Sequence, residues 1–183
     1  MLIMGPSGSG KSTLIRALAD IWPFGEGVVE LPEADVVLCL PQKPYLPLGS
    51  LRDVLIYPFG DPATAETEIR AVIDLAGLSP LAERLAENRL WSQVLSLGEQ
   101  QRLAFARIFL QRPRWILMDE ATSALDEPAE AVLYETLIRE LPLTGIVSVG
   151  HRSSLLAFHE SRLVLQGEGR WSIDETLRNV ARG

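Results

Sequence analysis

The sequence predicts an α/β fold: a mostly parallel sheet with flanking helices and an inserted helical subdomain. Three observations carry this. A short apolar run, Leu2-Ile3-Met4, enters a glycine-rich turn that opens straight into a helical pattern. Two further runs, 36–40 and 115–118, are apolar without a break, as strands covered on both faces should be. Strand patterns alternate with helical ones, which implies parallel pairing through crossovers.

Each element has its own signal. After the turn, 12–21 reads as a helix stopped by Pro23 and Gly25. Residues 27–30 and 36–40 read as strands. Pro41, Pro44, Pro47 and Pro58 then punctuate the chain. Asp61-Pro62 has the form of a helix cap with proline in the first turn, and Gly77 ends that helix. Ile69, Val72, Ile73 and Ala76 fall on one face of it. A helical subdomain over about 50–111 is thus expected, ending in a helix over 98–111. A strand over 115–118 follows, then a helix over 127–140 with Leu133, Leu137 and Leu141 spaced by four. Strands are expected at 145–149 and 161–166, and a last helix at 173–182 with Ser172 as its cap.

At 183 residues the chain is one domain by length. Its net charge of −7 argues against a broad basic face for nucleic acid. Cys39 is the single cysteine, so no disulfide forms within the chain and no cysteine metal cluster is possible; a reducing, cytosolic setting fits. It lies in an apolar run and reads as a small core residue. No stretch is apolar and long enough to cross a membrane, and no signal peptide is expected, because the apolar start is short and lacks a basic flank. Membrane contact is therefore expected through a partner or a further part of the chain.

Gly5-Pro6-Ser7-Gly8-Ser9-Gly10-Lys11-Ser12 matches the P-loop pattern in full. Its glycines let backbone N–H groups turn inward around phosphate oxygens, and the helix that follows adds its positive end. Lys11 would reach the outer phosphates and Ser12 a Mg²⁺ ion. Leu117-Met118-Asp119-Glu120 ends a buried strand, which in this kind of sheet puts its acids beside the P-loop. Asp119 would act on Mg²⁺ and Glu120 as general base toward water. The fold class is that of a P-loop NTPase.

Leu95-Ser96-Leu97-Gly98-Glu99-Gln100-Gln101-Arg102 resembles the signature motif of ATP-binding cassette (ABC) domains. With Gln42, Ser123-Ala124-Leu125-Asp126 and His151 in order, the chain resembles an ABC transporter nucleotide-binding domain over nearly its whole length. The resemblance implies that two such domains pair head to tail. ATP then lies between Gly5, Pro6, Ser7, Gly8, Ser9, Gly10, Lys11, Ser12 and Thr13 of one and Ser96, Gly98 and Glu99 of the other. Ser12, Gln42 and Asp119 are implied at the Mg²⁺, and Glu120, His151 and Gln42 in catalysis. Ser96, Gly98 and Asp126 are implied at the dimer interface, where Asp126 is equally a cap for the helix beginning near 127. His159 receives no role.

Leu97 and Glu99 depart from the usual Leu-Ser-Gly-Gly-Gln. The variant is similar to the branch of peroxisomal fatty-acyl transporters and the bacterial SbmA/BacA and YddA proteins, as is the segment 40–52. Family members carry two or more strands and an adenine-stacking aromatic before the P-loop. Only three strand residues stand there here, so the resemblance implies an ABC domain incomplete at its N-terminus and, alone, poorly stable. The expected function is the ATP-hydrolysing part of a membrane transporter for a lipid-like, vitamin-like or peptide substrate. It would be held by a transmembrane domain at the cytoplasmic face of the bacterial inner membrane. The alternatives are a catalytically deficient remnant or a soluble ABC ATPase acting on nucleic acid.

Overall fold

The computed structural model describes residues 1–30 and 37–174. In chain order the elements are β1 (Leu2–Met4), α1 (Lys11–Leu18), β2 (Val37–Leu40), β3 (Gly49–Ser50), α2 (Leu51–Ile56) and α3 (Glu66–Leu75). There follow β4 (Asn88–Arg89), α4 (Trp91–Val94), α5 (Leu97–Gln111), β5 (Trp115–Asp119), α6 (Glu127–Glu140), β6 (Gly145–Val149), β7 (Arg162–Gly167) and β8 (Arg170–Asp174). Two 3₁₀ turns, Ser79–Arg84 and Ser153–Phe158, link them. The chain forms two compact units: Met1–Pro41, Pro113–Glu120 and Leu143–Gly183 make the first, Gln42–Arg112 and Ala121–Pro142 the second. The insertion expected over about 50–111 lies within the second.

The first unit is built on a sheet of order β2-β5-β6-β1-β7-β8 among the described residues. All pairs are parallel except β7 with β8. Short as it is, β1 lies between two partners, and Leu2 and Ile3 are completely buried. Ile3, Ile15, Leu117 and Val149 form the core where α1 meets the sheet, and Cys39 packs at its edge. Partial burial raises the Cys39 thiol pKa above its ordinary value. Register sets Asp119 opposite Val149, so β5 and β6 end level.

Helix α1 is shorter than expected. Asp20 adopts φ 58°, and the amides of Asp20 and Ile21 bond back to Ala17 and Arg16. That closing motif ends the helix before Pro23 can. Residues 27–30 form no strand; Val28 and Val29 stay exposed. The last helix fails at its start as well. Ser172 and Ile173 lie in β8, paired with Val164 and Leu163. Glu168 and Gly169 take φ 53° and 73° between the two strands, the backbone of a tight hairpin turn. Residues 175–182 of that expected helix, and Val36 of the expected strand, lie outside the described residues.

In the second unit α2, α3 and α5 share a core that includes Leu51, Leu55, Ile69, Ile73, Phe105 and Ile108. Ser50 and Asp53 form a reciprocal capping box on α2. Asp61 is not the cap of α3, whose N-cap is Ala65. Asp61 instead accepts the Ala63 amide at 2.7 Å, and Arg52 holds the carbonyls of Pro62 and Thr64. Those contacts keep 61–64 as a turn, so the helix starts later. Arg107 is the unit's buried cation. It donates from Nε to Val54 and from Nη1 to Tyr45, both carbonyls at 2.8 Å. Desolvation lowers its pKa to about 10, which still leaves it charged at neutral pH.

Candidate functional site

The P-loop runs from the end of β1 into α1 as a turn of special backbone. Gly5, Gly8 and Gly10 have φ 149°, 77° and 96°. At Gly5 a Cβ would stand 2.2 Å from the Leu165 carbonyl oxygen and 2.9 Å from Ser9 Oγ, so only glycine fits. At Gly8 and Gly10 a Cβ would meet nothing within 4 Å, so there the positive φ rather than crowding favours glycine. Lys11 is buried, its ammonium folded back onto the carbonyls of Gly5 and Pro6 at 3.0 and 2.9 Å. The Ser9 hydroxyl is buried with no hydrogen-bond partner. A turn of backbone amides at a helix start, a buried ammonium and an unsatisfied hydroxyl fit a polyphosphate.

Two acids from the end of β5 stand in the same unit. Ser12 Oγ donates to Asp119 Oδ1 at 2.9 Å. This hard-oxygen pair is the donor set Mg²⁺ takes, so these residues fit that ion. Glu120 has φ 52°, unusual for a residue with a side chain, and its amide bonds to the Val149 carbonyl at 3.2 Å. Holding it there costs about 1–3 kcal/mol, a strain that proteins concentrate at working sites. From that backbone its Oε1 meets His151 Nε2 at 2.8 Å. An ionised carboxylate only accepts, so Nε2 carries the proton. Glu120 is 26 % and His151 54 % exposed, which leaves the pair open to water.

The remaining sequence-predicted residues belong to the second unit. Gln42 Nε2 lies 3.3 Å from Ser123 Oγ. Sequence reasoning gave Gln101 no role, yet it is fully buried and ties this region together. Its Nε2 donates to the Gln42 carbonyl at 2.8 Å, and its Oε1 accepts the Ala124 amide at 3.0 Å. The only signal in the sequence was its place inside the signature run.

Ser96, Gly98, Glu99 and Asp126 come together around one concavity of about 380 Å³ that also holds Arg102. Ser96 caps α5 and donates to Glu99 Oε2 at 2.7 Å, while the Ser96 amide donates to the same oxygen at 2.8 Å. The Glu99 carboxylate thus sits where the helix start would attract an anion. Asp126 accepts the Ala129 amide at 2.9 Å and caps α6, as the sequence allowed.

Fold and turn together define a P-loop α/β protein. A family profile described as "ABC transporter" matches residues 1–123, and the chain belongs to that family. It is 50 % identical over 178 residues to an ABC transporter ATP-binding protein of Synechocystis, covering 94 % of this chain and 26 % of that one. It is 42 % identical over 188 residues to the human lysosomal cobalamin transporter ABCD4, covering 94 % and 30 %. The chloroplastic ABC transporter D family member 2 of Arabidopsis thaliana is 37 % identical over 231 residues, covering 96 % and 32 %. A solved bacterial Atm1-family ABC exporter with ATP bound aligns at TM-score 0.80 and 28 % identity, over 99 % of this chain and 34 % of that one. The chain therefore spans about a quarter to a third of the relatives it matches. The D-family relatives agree with the branch read from the signature variant.

Proposed function

We propose that the chain binds ATP with Mg²⁺ and hydrolyses it as the ATP-binding part of a membrane transporter. The observation that carries this is the Glu120–His151 contact at 2.8 Å, in the unit that also pairs Ser12 with Asp119 and holds the P-loop. Residues 5–13 would hold the phosphates, with Lys11 turning from its carbonyl partners to the outer oxygens. Ser12, Asp119 and Gln42 would hold Mg²⁺, which supplies charge neutralisation on the phosphates. Glu120 would draw the proton of the attacking water while His151 fixes the Glu120 carboxylate. Through the Mg²⁺ or the attacking water, Gln42 would also report nucleotide state to the transmembrane partner, as the family resemblance implies.

The family resemblance supports a head-to-tail pair in which Ser96, Gly98, Glu99 and Asp126 face the second copy's nucleotide. A transmembrane domain, on the same or a separate chain, would hold the pair at the cytoplasmic face of a bacterial inner membrane. Its substrate class would be lipid-like, vitamin-like or peptide, and the cobalamin named for one relative supports the vitamin-like class. Replacing Glu120 by Gln should lower ATP turnover by about 10²–10⁴-fold with nucleotide affinity retained. Steady-state turnover beside equilibrium nucleotide binding measures this, and unchanged turnover in E120Q removes Glu120 as the base.

A further inference from the structure

This chain has two histidines, and the second, His159, is 2 % exposed. Its Nδ1 lies 2.8 Å from the Leu155 carbonyl oxygen and its Nε2 2.9 Å from Ser148 Oγ. A carbonyl only accepts, so Nδ1 carries the ring proton and Nε2 accepts from the Ser148 hydroxyl. Burial lowers the ring pKa to about 4, which keeps it neutral and fixes that tautomer at physiological pH.

The two bonded residues bracket His151. Ser148 is a fully buried residue of β6, three positions before it. Leu155 lies four positions after it, in the 3₁₀ turn. Leu155 also packs on the residue before His151: its Cδ1 is 2.3 Å from where a Cβ on Gly150 would stand. Within the same bracket the Val149 carbonyl takes the Glu120 amide, and the Gly150 amide bonds to Ile3. The His159 ring thus closes a stem whose tip carries His151.

The plain alternative is a satisfied core histidine that adds only stability. An apolar side chain would fill that space without desolvating two ring nitrogens. An imidazole instead bonds both flanks of the segment that presents His151 to Glu120.

We propose that His159 is a positioning residue, its ring tying Ser148 to Leu155 and so fixing where His151 meets Glu120. This rests on the reading that Glu120 and His151 act on ATP. Small displacements of a reacting group cost large factors in rate, so His159→Phe should lower kcat by about 10–100-fold and leave KM for ATP within about twofold. His159→Asn and His159→Gln each keep one of the two bonds and should recover part of that loss.

A second readout does not depend on turnover. In His159→Phe the chain's one remaining histidine signal in a histidine-labelled NMR spectrum is that of His151. It should move toward a free imidazole and no longer respond to Glu120→Gln. Equal kcat in all three variants, or an unmoved His151 signal, overturns the proposal and leaves His159 as packing. If His159→Phe does not fold, His159→Asn replaces it in both measurements. A wild-type chain that hydrolyses no ATP sinks the proposed function instead, while the His151 signal still decides the positioning.

Discussion

Arg107 shows what one side chain can hold. Its guanidinium is nearly sequestered from water, and it donates to the carbonyls of Val54 and Tyr45, which lie far from it in sequence. Removing it strands the buried Val54 acceptor and unties the part-buried Tyr45 carbonyl. Arg107→Met should therefore lower the unfolding free energy by about 2–4 kcal/mol, read from urea denaturation. Arg107→Lys should rescue little, because an ammonium cannot place two donors in the same fork. Glu120 is the opposite case, a residue in which local strain is retained and aimed. Nothing in its side-chain type announces a φ of 52°. The position follows from the turn out of β5 and from the Val149 carbonyl that holds its amide.

Elements with a clear opening signal were legible in the sequence. Helix α6 runs over Glu127–Glu140 and β6 over Gly145–Val149, as read, because Asp126 and Pro128 open the one and Gly145 opens the other. Where the deciding contact was tertiary, reading failed. Arg52 holds 62–64 as a turn, which no local pattern at Asp61 could reveal. The β7–β8 hairpin did leave a trace, Gly167-Glu168-Gly169, but cross-strand pairing outweighed the cap signal of Ser172. Within the candidate site, motif and strand end pointed to the P-loop, Asp119, Glu120 and His151, where the Ser12–Asp119 and Glu120–His151 contacts are found. Gln101 was not, since its partners come from 42 and 124. The caps themselves can be tested. Asp126→Ala should cost about 0.5–2 kcal/mol of stability by urea unfolding, and Asp126→Asn only a small part of that.

For the whole molecule, acid stability has a defined window. The His159 pKa is about 4 folded against an ordinary 6.5, so the unfolded chain binds more protons between those values. Its contribution is complete above pH 6.5 and is lost as pH falls toward 4, by up to about 3 kcal/mol. Urea midpoints between pH 7 and pH 4.5 should fall accordingly, and His159→Phe should flatten that fall. Asp53, held below the usual carboxylate range by the Ser50 hydroxyl, titrates beneath the window and does not blur it.

The short β1 also governs timing. Its partners are β6 and β7, so Leu2 must meet Ser148 on one side and Arg162 on the other. Closing loops of that length is slow. A ribosome therefore delivers the P-loop among the earliest residues of this stretch, while both neighbours of its strand are still unmade. The 42–142 stretch can be complete before either side of β1 is covered. The phosphate-binding turn is translated early and secured late: until residues near 149 emerge, Leu2 and Ile3 are apolar side chains without a sheet, and until residues near 164 emerge one side of β1 stays open.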